Sequence, residues 1–212
     1  MDVLRGSVVI KPWLFYQDGG LNTRKKKGFL IISEETPVCP ECMCQLALRD
    51  HKERIHKLAG GEKQWYMIPR WECKNEDCPC RLHSGIPNNL TPYKHYDAEV
   101  IEDVIDDRKS SEDIETEDYP CEQTMQNWKA WIEKNRVNID GQLRSIGYRL
   151  LEFGYEFLND RSSLLEELKK RICPGWLKVI CQAIWNTGGR IASLGCLQGT
   201  HPLLFVDTGS GG

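Results

Sequence analysis

The sequence predicts an α+β protein: a small β-rich zinc-binding module followed by a mainly α-helical half that contains a helix-turn-helix-like unit. Three observations carry this expectation. Six of the ten cysteines, Cys39, Cys42, Cys44, Cys73, Cys78 and Cys80, fall within a span of 42 residues. The chain around them holds short aromatic and aliphatic runs of the strand type, with Gly and Pro between them. From Asp97 onward, apolar residues recur at helical spacing between recognisable capping signals.

Taken in order, residues 1–36 contain two short β-like runs, Ser7–Ile10 and Gly28–Ile32, joined by a turn-rich basic segment with Gly19-Gly20 and Arg24-Lys25-Lys26-Lys27. That basic run could touch phosphates, but four charges taken alone favour a solvated loop. Residues 37–95 form the cysteine-bearing module, with a strand at Gln64–Trp71 leading into Cys73. Residues 96–138 form the helix-turn-helix-like unit. It opens with a helix at Asp97–Asp107 that has Val100, Ile101, Val104 and Ile105 on one side and acids on the other. Pro120 starts a second helix to Asn135, with Glu122 near the positive end of its dipole. Residues 139–205 add helices at Gln142–Leu158, Ser163–Arg171 (Ser163 and Glu166 in capping-box spacing) and Gly175–Asn186, the last ended by Gly188-Gly189. Residues 206–212 read as a flexible tail.

Composition narrows the function classes. Seven Trp, seven Tyr and five Phe argue for a packed core. No apolar run approaches the roughly 20 residues of a membrane span, so no membrane partner is expected. The first residues lack a secretory pattern, which makes the cytoplasm the expected compartment. In a reducing cytosol, metal ligation explains clustered cysteines better than disulfides do. Cys121, Cys173, Cys181 and Cys196 lie apart and are expected as small buried hydrophobes. The net charge of −3 is uneven: Asp97–Asp118 carries a local −9, which leaves the rest at +6. Such asymmetry permits a basic binding surface.

Cys39-Pro-Glu-Cys42 is the most specific pattern, because a two-residue gap lets both thiolates reach one tetrahedral ion while backbone amides steady the sulfurs. Cys73 and Cys78 form the partner pair, and a β-hairpin between the pairs would bring them together. The expected ligands are Cys39, Cys42, Cys73 and Cys78, with Cys80 or His83 as substitutes for Cys78. Four sulfurs at this spacing favour one structural Zn2+ per chain, and a filled tetrahedron leaves no position for substrate.

On the helix from Pro120, Cys121, Met125, Trp128 and Ile132 form an apolar stripe, and Gln123, Gln126, Asn127, Ala130 and Lys134 face the other way. Outward amides and a cation are groups that read base edges and phosphates in a major groove. Any amphipathic surface helix also has a polar outer face. If double-stranded DNA is the partner, the expected contacts are Gln123, Thr124, Gln126, Asn127, Lys129, Lys134 and Arg136, with Arg70, Lys74 and Arg81 of the zinc module on phosphate.

The order of these motifs is more informative than any one of them. Cys39-Pro-Glu-Cys42, Ile68-Pro-Arg-Trp-Glu-Cys73, Leu82-His-Ser-Gly-Ile-Pro87, Leu90-Thr-Pro-Tyr-Lys-His-Tyr96 and Glu122-Gln-Thr-Met-Gln-Asn-Trp128 resemble a bacterial transposon-associated family with an N-terminal zinc finger followed by a helix-turn-helix. The resemblance covers about residues 37–135. It implies recognition of mobile-element DNA, a plan also found at the N-terminus of several transposases. This chain departs from those transposases after residue 140, where there is no room for an RNase H-like nuclease domain. Asp140, Glu152, Glu156 and Asp160 are too scattered to hold two catalytic metal ions.

The expected function is therefore that of a zinc-stabilised DNA-binding protein of a mobile element, acting as an accessory or regulatory factor. The alternative is a zinc-stapled protein–protein adaptor without direct DNA contact. Its C-terminal helices, rich in Trp131, Phe153, Tyr155, Phe157, Trp176 and Trp185, would dock a transposase or a second copy. No catalytic residue is expected, because the chain has no Ser-His-Asp order, Gly-rich phosphate loop, H-E-x-x-H or deaminase signature.

Overall fold

The computed structural model describes residues 8–17, 24–33, 36–113, 120–150, 154–193 and 203–206. Its content is mixed α+β, a sheet followed by helices. The strands are β1 (Val8–Gln17), β2 (Arg24–Ser33), β3 (Leu46–Lys57), β4 (Lys63–Cys73), β5 (Leu82–Pro87) and β6 (Leu203–Val206). β4 is the organising strand. On one edge it pairs antiparallel with β3 from Leu46↔Cys73 to Lys57↔Lys63. Its other edge takes β2 in parallel at Trp65–Met67 and β5 antiparallel at Arg70–Glu72. Pro69, which has no N–H to give to a ladder, falls between those two stretches. β1 extends the sheet beyond β2, and β6 lies parallel to β5.

Two strand expectations change. The Arg24–Lys27 run, read as a loop, is the first part of β2 and pairs with Leu14–Gln17 of β1. Cross-strand pairing there overrides the local charge pattern. Ser7 and Gly19-Gly20 lie outside the described residues. β3 is anticipated only as one arm of a hairpin between the cysteine pairs, and no strand is expected at β5 or at β6, which falls where the helical region and tail are expected. β3 is strongly charged, with only Leu46 and His56 buried, and it owes its form to β4 and to a tight turn where Gly61 (φ 76°) lets the chain reverse.

The helices are α1 (Ala98–Ile105), α2 (Glu122–Leu150), α3 (Tyr155–Asn159), α4 (Leu164–Arg171) and α5 (Trp176–Asn186). α1, α4 and α5 form where their caps place them. Asp97 accepts from the Glu99 amide, Ser163 accepts from the Glu166 amide, and Gly188 takes φ 81° just past α5.

α2 corrects the reading of two helices at Pro120–Asn135 and Gln142–Leu158. It runs unbroken from Glu122 to Leu150, through Asn135–Gly141 and across the junction expected at 138/139, and an extended Gly154 precedes α3. Asn135 is buried. Its amide donates to the Trp131 and Ala192 carbonyls and accepts from the Ala192 N–H, so distant chain satisfies a residue that looks locally like a helix breaker.

One apolar cluster joins sheet and helices. Ile31, Tyr66 and Ile68 from the strands meet Val100, Ile101 and Val104 of α1, Trp128 and Trp131 of α2, and Trp176 and Ile180 of α5. Trp185 is also buried in it, while Tyr155 is exposed; Phe153 and the side chain of Phe157 lie outside the described residues. Among the described residues no helix is long and apolar enough to cross a membrane.

α1 carries a surprise. Glu102, expected on the solvent side with the other acids, is fully buried. Its carboxylate accepts from the Gly175 N–H (2.7 Å), the Leu177 N–H (3.0 Å) and Arg108 Nη2 (3.0 Å), and so ties the start of α5 to α1. Arg108 also pairs with Asp103 and Asp106, and Asp106 accepts from Trp176 Nε1.

Candidate metal centre

The two cysteine pairs meet where β3 begins and β4 ends. Cys39–Cys44 makes a tight loop closed by the Cys39 N–H to the Cys44 carbonyl (2.8 Å) and the Met43 N–H to the Cys39 carbonyl (2.8 Å). Met43 takes φ 60°, a left-handed conformation that favours glycine. The chain then enters β3, and the hairpin returns along β4 to Cys73, which sits opposite Leu46. Past Cys73 a short loop presents Cys78 before β5 begins. The hairpin between the pairs is the one the spacing anticipates.

The Sγ atoms of Cys39, Cys42, Cys73 and Cys78 all lie within 4.8 Å of one another. Cys39 and Cys78 are 3.6 Å apart, and Cys42 and Cys73 are 3.5 Å apart. A regular tetrahedron of sulfurs at about 2.3 Å from a metal has an edge of about 3.8 Å. The four thiols are therefore arranged to hold one metal ion.

The electrostatics agree. Backbone hydrogen bonding from Cys44 is the largest influence on Cys42 and holds its thiol down at about 6, so it is a thiolate at neutral pH. Burial pushes the Cys39 thiol up to about 12, although backbone hydrogen bonds from Cys42 and Glu41 oppose the rise. A buried thiol of that kind ionises when a cation replaces its proton.

Among the described residues, Leu46 and Trp71 are the buried apolar side chains that pack with the cysteines. Gly85 of β5 completes the packing by having no side chain, since a Cβ there would meet Pro69 Cγ at 3.0 Å and Trp71 Nε1 at 3.1 Å.

The substitutes for Cys78 take other places. His83 Nε2 lies 3.4 Å from Cys39 Sγ and 3.0 Å from the Cys80 carbonyl, next to the sulfur set. Cys80 Sγ faces Arg190 Nη2 at 3.6 Å, and Cys44 is exposed. Of the other cysteines, Cys181 is buried as expected, whereas Cys121 and Cys173 are exposed and Cys196 lies outside the described residues. Cys121 thus leaves the apolar stripe of its helix, and its thiol lies 3.2 Å from Thr124 Oγ1 at the first turn.

Residues 39–128 match the model of a family described as a domain of unknown function, DUF6431. The matched region opens on the first cysteine of the metal set and closes on Trp128, so it takes in the sheet end, the Leu90–Tyr96 turn, α1 and the first turns of α2. No curated protein and no solved structure matches the chain.

The residues expected at DNA sit on the first turns of α2. Met125, Trp128 and Ile132 are buried beneath them, and Gln123, Gln126, Asn127, Ala130 and Lys134 are exposed as expected. Most of the cations expected on phosphate already have acidic partners. Lys129 pairs with Asp107, and Arg136 with Glu166 and Glu133. Arg70 pairs with Asp50, while Lys74 and Arg81 both pair with Glu72. Lys134 has no acidic partner among the described residues. α1 and α2 pack together, but residues 106–121 connect them, a longer link than the three or four residues of a compact helix-turn-helix. Asp140 accepts from Ser163 Oγ and the Leu165 N–H at the start of α4, a structural use for one of the scattered carboxylates.

Proposed function

We propose that this chain is a zinc-stabilised DNA-binding protein in which α2 enters the major groove. The observation that carries the reading is the outer face of α2: exposed amides at Gln123, Gln126 and Asn127, a small side chain at Ala130 and an exposed cation at Lys134. Amides pair with adenine edges, a small apolar side chain fits against a thymine methyl, and lysine meets guanine or phosphate. The buried opposite face holds the helix rigid against the sheet and α1.

The metal is Zn2+, one per chain. Four thiolates are soft ligands in tetrahedral array, and a closed set of that kind has a structural role. It fixes the end of a sheet too poor in apolar residues to hold its own shape. α1 and α2 act as a helix-turn-helix-like pair with a long connection, and no catalytic step is assigned to the protein. The likeness of the motif order to a transposon-associated family makes mobile-element DNA the target and the cytoplasm of a bacterium the setting.

A second reading has its own observation. Val137 of α2 is 85% exposed and Tyr155 of α3 71% exposed, the large apolar side chains that the helical half would offer a protein partner such as a transposase or a second copy. Salt separates the two. Anisotropy titration of a labelled duplex should show affinity falling steeply between low and physiological salt, with Asn127→Ala and Lys134→Ala binding more weakly. Absence of duplex binding at low salt rejects the DNA reading and leaves the adaptor.

A further inference from the structure

The Leu90–Tyr96 segment, singled out by its sequence, has no part in the metal centre or in the outer face of α2. It is nevertheless held from three sides. Arg54 of β3 donates through Nη2 to the carbonyls of Thr91 (2.7 Å) and Lys94 (2.7 Å), on either side of the turn tip. The Lys57 N–H donates to the His95 carbonyl (2.7 Å). Toward α2, Lys94 Nζ stands 4.8 Å from the centre of the Trp131 ring, and the Tyr96 ring meets Trp128 edge-on at 5.1 Å.

At the tip of this fixed turn is Tyr93. Its φ is 60°, a left-handed conformation that a bulky residue rarely adopts, and its side chain is 44% exposed. Glycine would fit the backbone without strain, and an exposed ring contributes little to the core. A strained residue held rigidly at the surface is the mark of a contact made with something else.

The position suggests the partner. Trp131 borders the row of Asn127, Lys134 and Asn138 on the helical wheel, so the turn flanks the outer face of α2. Arg54, Lys57 and Lys94 place positive charge near it, with Arg54 committed to the two carbonyls and the lysines over the Tyr96 and Trp131 rings, while Asp97 is engaged by His56 Nε2 (2.8 Å) and the Glu99 N–H.

We infer that the Thr91–Lys94 turn is a second contact to the duplex that α2 reads, with the Tyr93 phenol donating a hydrogen bond to a backbone phosphate beside the groove. The inference rests on the DNA-binding reading. A phosphate contact from a rigid turn would set the register of α2 in the groove without reading sequence.

The test uses the full zinc-loaded chain and a fluorescein-labelled mixed-sequence duplex. Tyr93→Phe removes only the hydroxyl and should weaken binding roughly tenfold, the size of one charge-assisted hydrogen bond. Because the phenol is neutral, the slope of log affinity against log salt should not change, whereas Lys134→Ala should reduce it by about one. Tyr93→Gly should weaken binding as much without lowering the thermal midpoint.

Wild-type binding with Tyr93→Phe within about twofold of it overturns the turn contact and leaves the α2 reading standing. A Tyr93→Gly midpoint well below wild type also overturns the contact, by assigning the ring to structure. A wild-type chain that does not bind the duplex overturns both.

Discussion

Replacing Glu102 by alanine tests how the helical half is held. The carboxylate is fully buried and takes the Gly175 and Leu177 N–H groups at the start of α5, as well as Arg108. Arg108 keeps Asp103 and Asp106 in the variant, so no cation is orphaned. The two amides do lose their acceptor, and the positive end of the α5 dipole loses a nearby anion. At roughly 1–3 kcal/mol for each unmet amide, the loss comes to about 3–5 kcal/mol, a large share of the 5–15 kcal/mol typical of a whole domain. Glu102→Gln keeps the shape but turns an NH2 toward one of the amides, and should cost about 2 kcal/mol. Urea unfolding followed by tryptophan emission reads both, because Trp176 packs at this junction and donates to Asp106. If both variants unfold within about 0.5 kcal/mol of wild type, the carboxylate does not anchor α5 and the reasoning fails.

Three other perturbations test separate parts of the account. Gly141 lies mid-helix on the exposed side of α2 with open space around it, so Gly141→Ala should stabilise by up to about 1 kcal/mol in the same assay; a loss would argue for a break there. Met43→Gly relieves the left-handed strain in the Cys39–Cys44 loop and should raise the thermal midpoint of the loaded protein, with metal content unchanged. Because each thiol must lose its proton to bind, competition with a chelator at falling pH should show the loaded protein giving up its metal more readily; an affinity indifferent to pH would contradict thiolate ligation.

The metal set was legible because ligand spacing is a local property of the chain, and α1, α4 and α5 were legible because their caps are too. β3 was not. Its residues Leu46–Lys57 show no apolar alternation, and the strand exists through pairing with β4 and the bidentate Arg70–Asp50 ion pair across it. The continuity of α2 was hidden for the same reason. Asn135, Asn138 and Gln142 end, separate and begin the two helices expected there, but their amides bond to residues 190–192, about fifty positions away in sequence. Glu102 looked solvent-facing among its acidic neighbours, and only the approach of Gly175–Leu177 makes it a core residue. In each case a residue's role is set by a partner that no local window contains. The same holds for Tyr93, whose strain appears only once Arg54 has fixed the turn beneath it.

Zinc K-edge X-ray absorption on the purified chain tests the central claim most directly, because it reads both the identity of the metal and its ligand atoms. The account predicts one zinc per chain surrounded by four sulfurs at about 2.3 Å. A shell of three sulfurs and one nitrogen would put His83 in place of a cysteine, and a chain isolated without zinc would contradict the account at its base.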